Sequence, residues 1–392
     1  MTYFIGIDIS KFKHDCFIMD ENGEVIKDSF SFNNDSIGFN TLLDALSLLD
    51  PSKEKRIGFE ATGHYGSNLK LFLDKNGYSY MEFNPLLVKR EFSSKTLRRT
   101  KTDKVDARKL AIYLLSVSYK PNPNPSYHLE CLKSLTRLRC SLVDERSLQL
   151  VRLTNVLDKI FPEFKPFSKS TGLKSSTAQY LLTNYTIPSK MANMTRASFD
   201  KMKSELRNTI SYSKFCNLKE LAKNTIGNED EILTFELRLI LDIYKELNNK
   251  IEDIETKILF ELNLLTCRTR TVVGIGDIMA ASILAEVNNF YKFDSANRLL
   301  AFAGLEPSKD ESGTEAHGGK MVKHGSPYLR RYIMSISNQI IVHNPILYDY
   351  YRKKRNEGKS HTVALSHVAK KLVRIIYYLE TNNKDFDITK VR

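Results

Sequence analysis

Two aspartates three residues apart, Asp103 and Asp106, stand in Lys101-Thr102-Asp103-Lys104-Val105-Asp106-Ala107-Arg108-Lys109. On a helix this spacing puts both carboxylates on one face, close enough to share a ligand, and a divalent cation is the natural one. Acids in a first helical turn are also favoured by the helix dipole, and Asp103 taken alone reads equally well as an N-cap. The surroundings favour the chemical reading. From residue 89 to 109 the cations Lys89, Arg90, Lys95, Arg98, Arg99, Lys101, Lys104, Arg108 and Lys109 face only Glu91, Asp103 and Asp106. Cations that hold a phosphodiester backbone beside carboxylates that hold a metal are what metal-assisted chemistry on nucleic acid requires.

Two further acids join this pair. Asp8 sits in Phe4-Ile5-Gly6-Ile7-Asp8-Ile9, apolar on both sides, where an ionised carboxylate is costly unless a charge or a metal meets it. Glu60 ends a second strand and is followed by Ala61-Thr62-Gly63, a turn of small residues that lets a backbone approach. Together Asp8, Glu60, Asp103 and Asp106 can supply oxygen ligands to two hard cations about 3.5–4 Å apart, the spacing at which attacking and leaving oxygens are both stabilised.

The elements that must position these acids read off in order. Strands are expected over 3–9, 15–19 and 25–32, the last two joined by an Asn22-Gly23 hairpin signal. Asn34 or Asp35 caps a helix over 37–46, and strand 55–59, helix 64–76 and strand 79–83 follow. A basic connector then leads to a helix over 104–116. A three-strand meander followed by helix, strand, helix, strand and helix is the order of a ribonuclease-H-like α/β domain, here residues 1–120.

Pro121-Asn122-Pro123-Asn124-Pro125 marks the end of that domain. Residues 121–266 read as a helical connector: one long helix from Leu132 to a stop at Pro162, and a second whose Leu233, Leu237, Ile240, Tyr244, Leu247, Ile251, Ile254 and Ile258 alternate spacings of four and three, a coiled-coil seam. Between them, 164–227 reads as a small polar subdomain. Residues 267–392 form a mainly α-helical C-terminal domain. It opens with a helix-hairpin-helix-like glycine turn, Val272-Val273-Gly274-Ile275-Gly276-Asp277, before a helix over 279–287. A loop from Gly304 to Gly325 then combines Ser308, Ser312, several glycines and cations, and Lys320, Lys323, Arg330 and Arg331 are the expected phosphate contacts there. Two helices close the chain, with Tyr348, Tyr350, Tyr351 and the run Arg352-Lys353-Lys354-Arg355 between them, aromatics and cations that suit nucleic acid.

Composition agrees with this picture. With 392 residues, 42% hydrophobic and 27% charged, the chain is long enough for two or three cores. Its net charge of +13 points to a polyanionic partner. Cys16, Cys131, Cys140, Cys216 and Cys267 are scattered and odd in number, which suits reduced thiols rather than a disulfide framework or a zinc site. No apolar run is long enough to span a bilayer, no signal-peptide pattern opens the chain, and a cytoplasmic location is expected.

The two halves together resemble the DEDD transposases of insertion sequences, the insertion sequence one-ten group that includes the pilin-gene invertases. Asp8, Glu60, Asp103 and Asp106 match its four-carboxylate pattern, with residues 101–107 the most specific piece. Gly304-Leu305-Glu306-Pro307, Ser312-Gly313 and His324-Gly325 through Arg330-Arg331 look like its second domain. The resemblance implies a recombinase with a composite active site, a RuvC-like domain that binds magnesium and a C-terminal domain whose serine attacks a DNA phosphate. Ser312 is the nucleophile on this reading; the family commonly has two serines before the glycine, where this chain has Glu311-Ser312-Gly313 and Ser308 four residues earlier. The resemblance also implies double-stranded DNA at element ends and target and a structured guide RNA; strand exchange needs two active sites or more, and with the 233–258 seam this points to a homo-oligomer, dimer or tetramer. Two other readings stand beside it. One is a metal-dependent nuclease of Holliday-junction type with a DNA-binding C-terminal half; the other is a non-catalytic nucleic-acid-binding protein.

Overall fold

The computed structural model describes residues 2–61, 63–93, 103–119, 121, 127–165, 172–207, 210–312 and 315–390. Arg98, Arg99, Lys101 and most of the 121–125 break lie outside these residues, and Asp103, Lys104, Ser308, Ser312 and Lys320 are described in their backbone only. Two compact units result, residues 1–126 and 127–392. The second contains both the expected helical connector and the expected C-terminal domain.

In the first unit β1 (Thr2–Ile9), β2 (Lys13–Asp20) and β3 (Val25–Asn33) form the antiparallel meander. Gly23, at φ +83°, supplies the left-handed turn that Asn22-Gly23 predicts between β2 and β3. Asp35 caps α1 (Ser36–Ser47), its carboxylate accepting the Gly38 N–H at 2.8 Å. β4 (Glu54–Glu60) returns parallel to β1, and α2 (Ser67–Lys75) leads to β5 (Tyr80–Phe83), parallel to β4. The sheet order is β3-β2-β1-β4-β5.

Alternation along β1 sorts its side chains into two layers. Tyr3, Ile5, Ile7 and Ile9 pack with Leu42 and Leu46 of α1 and Leu69 and Leu73 of α2. Phe4 packs on the other face with Phe17, Met19 and the residues Ala107, Leu110, Ala111 and Leu114 of α4 (Asp103–Ser116). Both faces are covered, which is why β1 is apolar on both sides. The basic connector expected after β5 contains a helix, α3 (Pro85–Ser93), whose Val88 joins the α4 layer. Pro85 starts it without loss, since the first helical N–H has no partner anyway.

The second unit is almost wholly helical. α5 (Tyr127–Ile160) and, after the short helices α6 (Ser176–Tyr185), α7 (Pro188–Ala192), α8 (Arg196–Glu205) and α9 (Tyr212–Lys223), the long α10 (Glu231–Asn263) run antiparallel against each other. His128 to Glu261 at 2.7 Å, Arg139 to Glu255 at 2.6 Å and Arg146 to Asn248 at 3.0 Å fix that register. Leu237, Ile240, Tyr244, Leu247, Ile251 and Ile258 are buried, so the seam read from the sequence is met by α5 of the same chain. Helices α6 to α9 pack with the adjoining ends of α5 and α10 around a core that includes Phe164, Phe199 and Phe215.

Past α10, α11 (Asp277–Val287) and α12 (Ala296–Phe302) precede a two-stranded hairpin, β6 (Pro307–Ser312) and β7 (Glu315–Met321), where a loop was expected. Three helices finish the chain, α13 (Pro327–His343), α14 (Pro345–Asn356) and α15 (His361–Asn382). Tyr348, Tyr350, Tyr351 and Arg352 to Arg355 therefore lie within a helix, not between two, because Asn344 caps a new helix through the Leu347 N–H and Pro345 opens it. Among the described residues no helix is long and apolar enough to cross a membrane.

Candidate active site

Asp8 and Glu60 reach the same end of the sheet. Parallel pairing sets Gly6 against Gly58 and Ile7 against Phe59, which puts Asp8 and Glu60 at one level where β1 and β4 end. Both are half-buried. By the two-residue period of a strand, Asp8 shares its face with Phe4 and Gly6, and Glu60 shares its face with Gly58. That is the face α4 covers. A Cβ on Gly6 would meet the Ala107 carbonyl oxygen, and one on Gly58 would meet Phe83 and the Leu114 side chain.

The remaining two acids begin α4, the helix that covers this face. Ala107 lies over Gly6, Leu114 over Gly58, and beyond the helix Tyr119 donates to the Ser79 carbonyl at 3.0 Å and takes the Arg56 guanidinium over its ring at 5.3 Å, at the beginning of β5 and β4. Gly6 and Gly58 are partners at one level of the sheet, so α4 crosses the strands there, and Asp103 and Asp106 lie in the helical turn just before Ala107. Asp106 is held by Lys109, at 2.6 Å.

The sequence did not single out Asp15. It pairs directly with Asp8 across β1 and β2, so the two project from the same face. Asp15 is 2% exposed; the Ser31 hydroxyl donates to it at 2.5 Å, and Lys13 lies 3.6 Å away. A strand expected to start at Asp15 hides this, because an acid at a strand end looks solvated; Lys13 and His14 extend the strand and bury it.

Donors of this kind are hard oxygens, the chemistry that magnesium or another small divalent cation accepts. Asp8 and Glu60 end adjacent strands and Asp103 and Asp106 begin the helix on the same face, a donor set whose chemistry fits such an ion. Among the described residues no three histidine, cysteine, aspartate or glutamate side chains already stand at ligand spacing. Lys109 occupies Asp106 in their place.

In the second unit, Ser312 ends β6 opposite Glu315, next to the hairpin turn, while Ser308 lies near the base, beside the Pro307–Met321 pair. The base is built closely. Gly304, at φ +65°, leaves room for the Arg330 guanidinium and the His324 carbonyl; Gly325, at φ +111°, lies where a Cβ would come 2.1 Å from the Phe302 carbonyl oxygen. Only glycine adopts those angles without strain.

Arg330 and Arg331, expected at phosphate, have partners inside the chain. Arg330 donates to the Lys323 carbonyl at 3.1 Å, tying the hairpin base to α13. Arg331 forms a two-pronged pair with Asp144 of α5, one arm at 2.6 Å, and this pairing lowers the Asp144 pKa and raises that of Arg331. Arg108 lies over the Phe17 ring at 5.6 Å. The glycine turn at 272–277 is likewise shaped by packing. A Cβ on Gly274 would come 2.9 Å from Ile340, and Asp277, at the start of α11, is gripped by Arg270 at 2.9 and 3.0 Å.

A buried network stands behind the hairpin base. Glu286, 2% exposed, accepts Arg137 of α5 at 2.6 and 3.0 Å and the Ser326 hydroxyl at 2.9 Å. Ser326 in turn caps α13 through the Leu329 N–H. Glu286 therefore joins α5, α11 and the start of α13, and no motif in the sequence marks it.

Two family models match the chain. One, described as transposase, covers residues 5–162; the other, described as transposase of the IS116/IS110/IS902 family, covers 268–352. Among known proteins the chain is similar to the mini-circle protein for IS117 of Streptomyces coelicolor, 24% identical over 99% of this chain and 96% of that one. An insertion element IS116 protein of 44.8 kDa from Streptomyces clavuligerus is 24% identical over 98% of this chain and 96% of its own. The pilin gene-inverting protein of Moraxella bovis is 22% identical over 98% and 97%. Matched at both ends by transposase models and along its whole length by insertion-element proteins, the chain belongs to the IS110/IS116 family of transposases.

Proposed function

We propose that this transposase cuts and rejoins DNA with two sets of residues, the acids Asp8, Glu60, Asp103 and Asp106 on the first unit and Ser312 on the second. The single observation that carries the reading is the common level of Asp8 and Glu60 at the strand ends, on the sheet face that α4 covers. The sheet order and the helix on its face support a ribonuclease-H-like, RuvC-like domain. Magnesium bound by those carboxylates would polarise the phosphate and stabilise the charge that develops on it.

The chain's own residues do the rest. Ser312 attacks a backbone phosphorus through its hydroxyl oxygen; the ester bond to the leaving deoxyribose oxygen breaks, that oxygen takes up a proton, and a phosphoserine link remains. A strand hydroxyl reverses the step on a new partner. Lys104, Arg108, Lys320 and Lys323, together with Arg98, Arg99 and Lys101, hold the DNA backbone, consistent with a net charge of +13. Guidance by a structured RNA, action on element ends and target, and assembly as a dimer or tetramer complete the reading; the whole-length similarity to a pilin gene-inverting protein supports DNA rearrangement as the outcome.

Covalent trapping tests it. The wild-type chain and its Ser312→Ala, Ser308→Ala and Asp8→Asn variants are incubated with magnesium, element-end DNA and co-purifying RNA, then resolved under denaturing conditions. A protein–DNA adduct lost in Ser312→Ala and in Asp8→Asn, and retained in Ser308→Ala, is the expected result. Cut DNA with no adduct in the wild-type lanes would replace the recombinase with a nuclease in which the acids act alone.

A further inference from the structure

A cavity of about 950 Å³ opens on the C-terminal helices, away from the serine hairpin in sequence. Its walls are α14, α15 and the segment 384–387 that follows α15. That segment is anchored: Asn383 adopts a left-handed conformation at φ +51°, Arg268 donates to its side chain at 2.8 Å, and the Phe386 N–H donates to the Thr271 hydroxyl at 2.8 Å. The cavity is a built feature, of a size that accepts one or two nucleotides.

Its lining pairs aromatic faces with cations. Tyr350, Tyr378 and Phe386 stand beside Lys371, Arg374 and Lys384. Tyr378 is 52% exposed, with Lys384 over its ring at 5.8 Å. Lys371 lies over the Tyr350 ring at 4.9 Å. Among the described residues, none of the three cations has a carboxylate at ion-pair distance, although two acids line the same cavity. Those acids are engaged elsewhere: Asp385 pairs with Arg268 at 2.9 Å, and Asp387 accepts the Thr389 N–H at 3.0 Å and its hydroxyl at 2.6 Å. Burial also lowers the pKa of Lys371, a penalty that a bound anion offsets.

We infer that this cavity binds an unpaired nucleobase with its phosphate, the base stacked on Tyr378 and Phe386 and the phosphate met by Lys371 and Arg374. A duplex presents no free base face to a cavity of this size, whereas every base of a single strand offers one. The inference rests on the nucleic-acid reading above and adds a second contact region, far along the chain from both proposed sets of catalytic residues.

The test uses the full chain and three probes: a fluorescein-labelled oligothymidylate twelve residues long, a blunt duplex of the same length, and thymidine monophosphate as competitor. Tyr378→Ala is expected to weaken the single-strand complex about 5–100-fold, in line with one lost stacking contact, with Tyr378→Phe close to wild type. Arg374→Gln with Lys371→Gln is expected to reduce the salt slope by about 0.7, one neutralised phosphate's worth. Duplex affinity stays within about twofold in the Tyr378 variants. Displacement of the strand by the monophosphate at millimolar concentration identifies a free nucleotide as an equal ligand; no displacement identifies the strand. Unchanged single-strand affinity in Tyr378→Ala, with an unaltered thermal midpoint, overturns the inference, as does an equal loss for duplex and single strand. A wild-type chain that binds duplex but not single strand fails this inference alone, whereas one that binds neither fails the nucleic-acid reading as well.

Discussion

Gly6 and Ala107 meet backbone to backbone: a Cβ on Gly6 would lie 2.2 Å from the Ala107 carbonyl oxygen and 2.4 Å from the Ala111 nitrogen. This close approach seats α4 on β1 two residues before Asp8, and so sets where Asp106 stands relative to the strand end. Neither backbone atom can swing aside as a side chain can. Gly6→Ala must therefore lift the helix, at about 3 kcal/mol or more, the upper range for overpacking a core. Urea unfolding of residues 1–126 in the full chain measures it, and a midpoint close to wild type would show that α4 does not bear on Gly6.

Asp106→Asn tests the acid cluster without removing a phosphate contact. DNA affinity is expected to stay within about threefold, because a carboxylate contributes nothing favourable to backbone binding. Strand cleavage is expected to fall on the order of 100-fold, the upper end seen even for groups one step removed from a metal. Lys109→Met gives the complementary result, since Lys109 now holds Asp106 at 2.6 Å. Calorimetric titration with magnesium is expected to show tighter binding in Lys109→Met and weaker binding in Asp106→Asn. Equal affinities in all three proteins would exclude Asp106 as a ligand.

His14 makes the first unit sensitive to acid. It is fully buried between Phe32 and Phe39, with ring centroids at 5.2 and 6.1 Å, and neither ring nitrogen reaches hydrogen-bonding geometry, the nearby Asn34 included. Burial lowers its pKa below 6.5, opposed by Asn34 and Asp15. The unfolded chain takes up this proton as the pH falls through about 6.5, while the folded chain does not until lower pH, so folding loses up to about 1.4 kcal/mol per pH unit in that interval. Urea midpoints at pH 7.5 and 5.5 should differ more in the wild type than in His14→Phe. The same fall in both proteins would assign the acid sensitivity to other groups.

Glu286 is the keystone of the hairpin base, joining Arg137 and Ser326. Removing the Glu286 charge leaves the partly exposed Arg137 without its partner, and Glu286→Gln is expected to cost about 2–3 kcal/mol, at or just below the low end of the range for breaking a buried pair. The double variant Arg137→Met with Glu286→Leu should recover most of that loss, since no charge is then stranded. Chemical denaturation of both variants distinguishes a buried pair from a simple packing defect, in which the double variant would be at least as unstable as the single one.

Much of the first unit was legible in the sequence. The period of two in β1, the Asn22-Gly23 turn and the Asp35 cap are local, each set by a few neighbouring residues, and the structure follows them. The four acids were also nameable from residue type and spacing, whereas Ser312 and Ser308 stood out through the family resemblance. The helix α3 was missed because its charged residues look like a connector, although Pro85 opens it and Val88 buries into the α4 layer. The β6–β7 hairpin was read as a loop because serine, glycine and charge dominate it; the pairing from Pro307–Met321 to Ser312–Glu315 is what makes it a sheet.

By itself, then, the sequence determined element order, the apolar faces, the basic character and the acids that resemble a metal-binding set, because these depend on residue type and period. Tertiary structure decided which residues meet. It put Asp15 beside Asp8 by strand register, gave the α10 seam to α5, turned Arg330 and Arg331 toward a carbonyl and Asp144, and buried Glu286 behind the hairpin. Such pairings join residues from about seven to nearly two hundred positions apart, and no local pattern encodes them; they follow from the register of strands and the packing of helices, which only the folded chain settles.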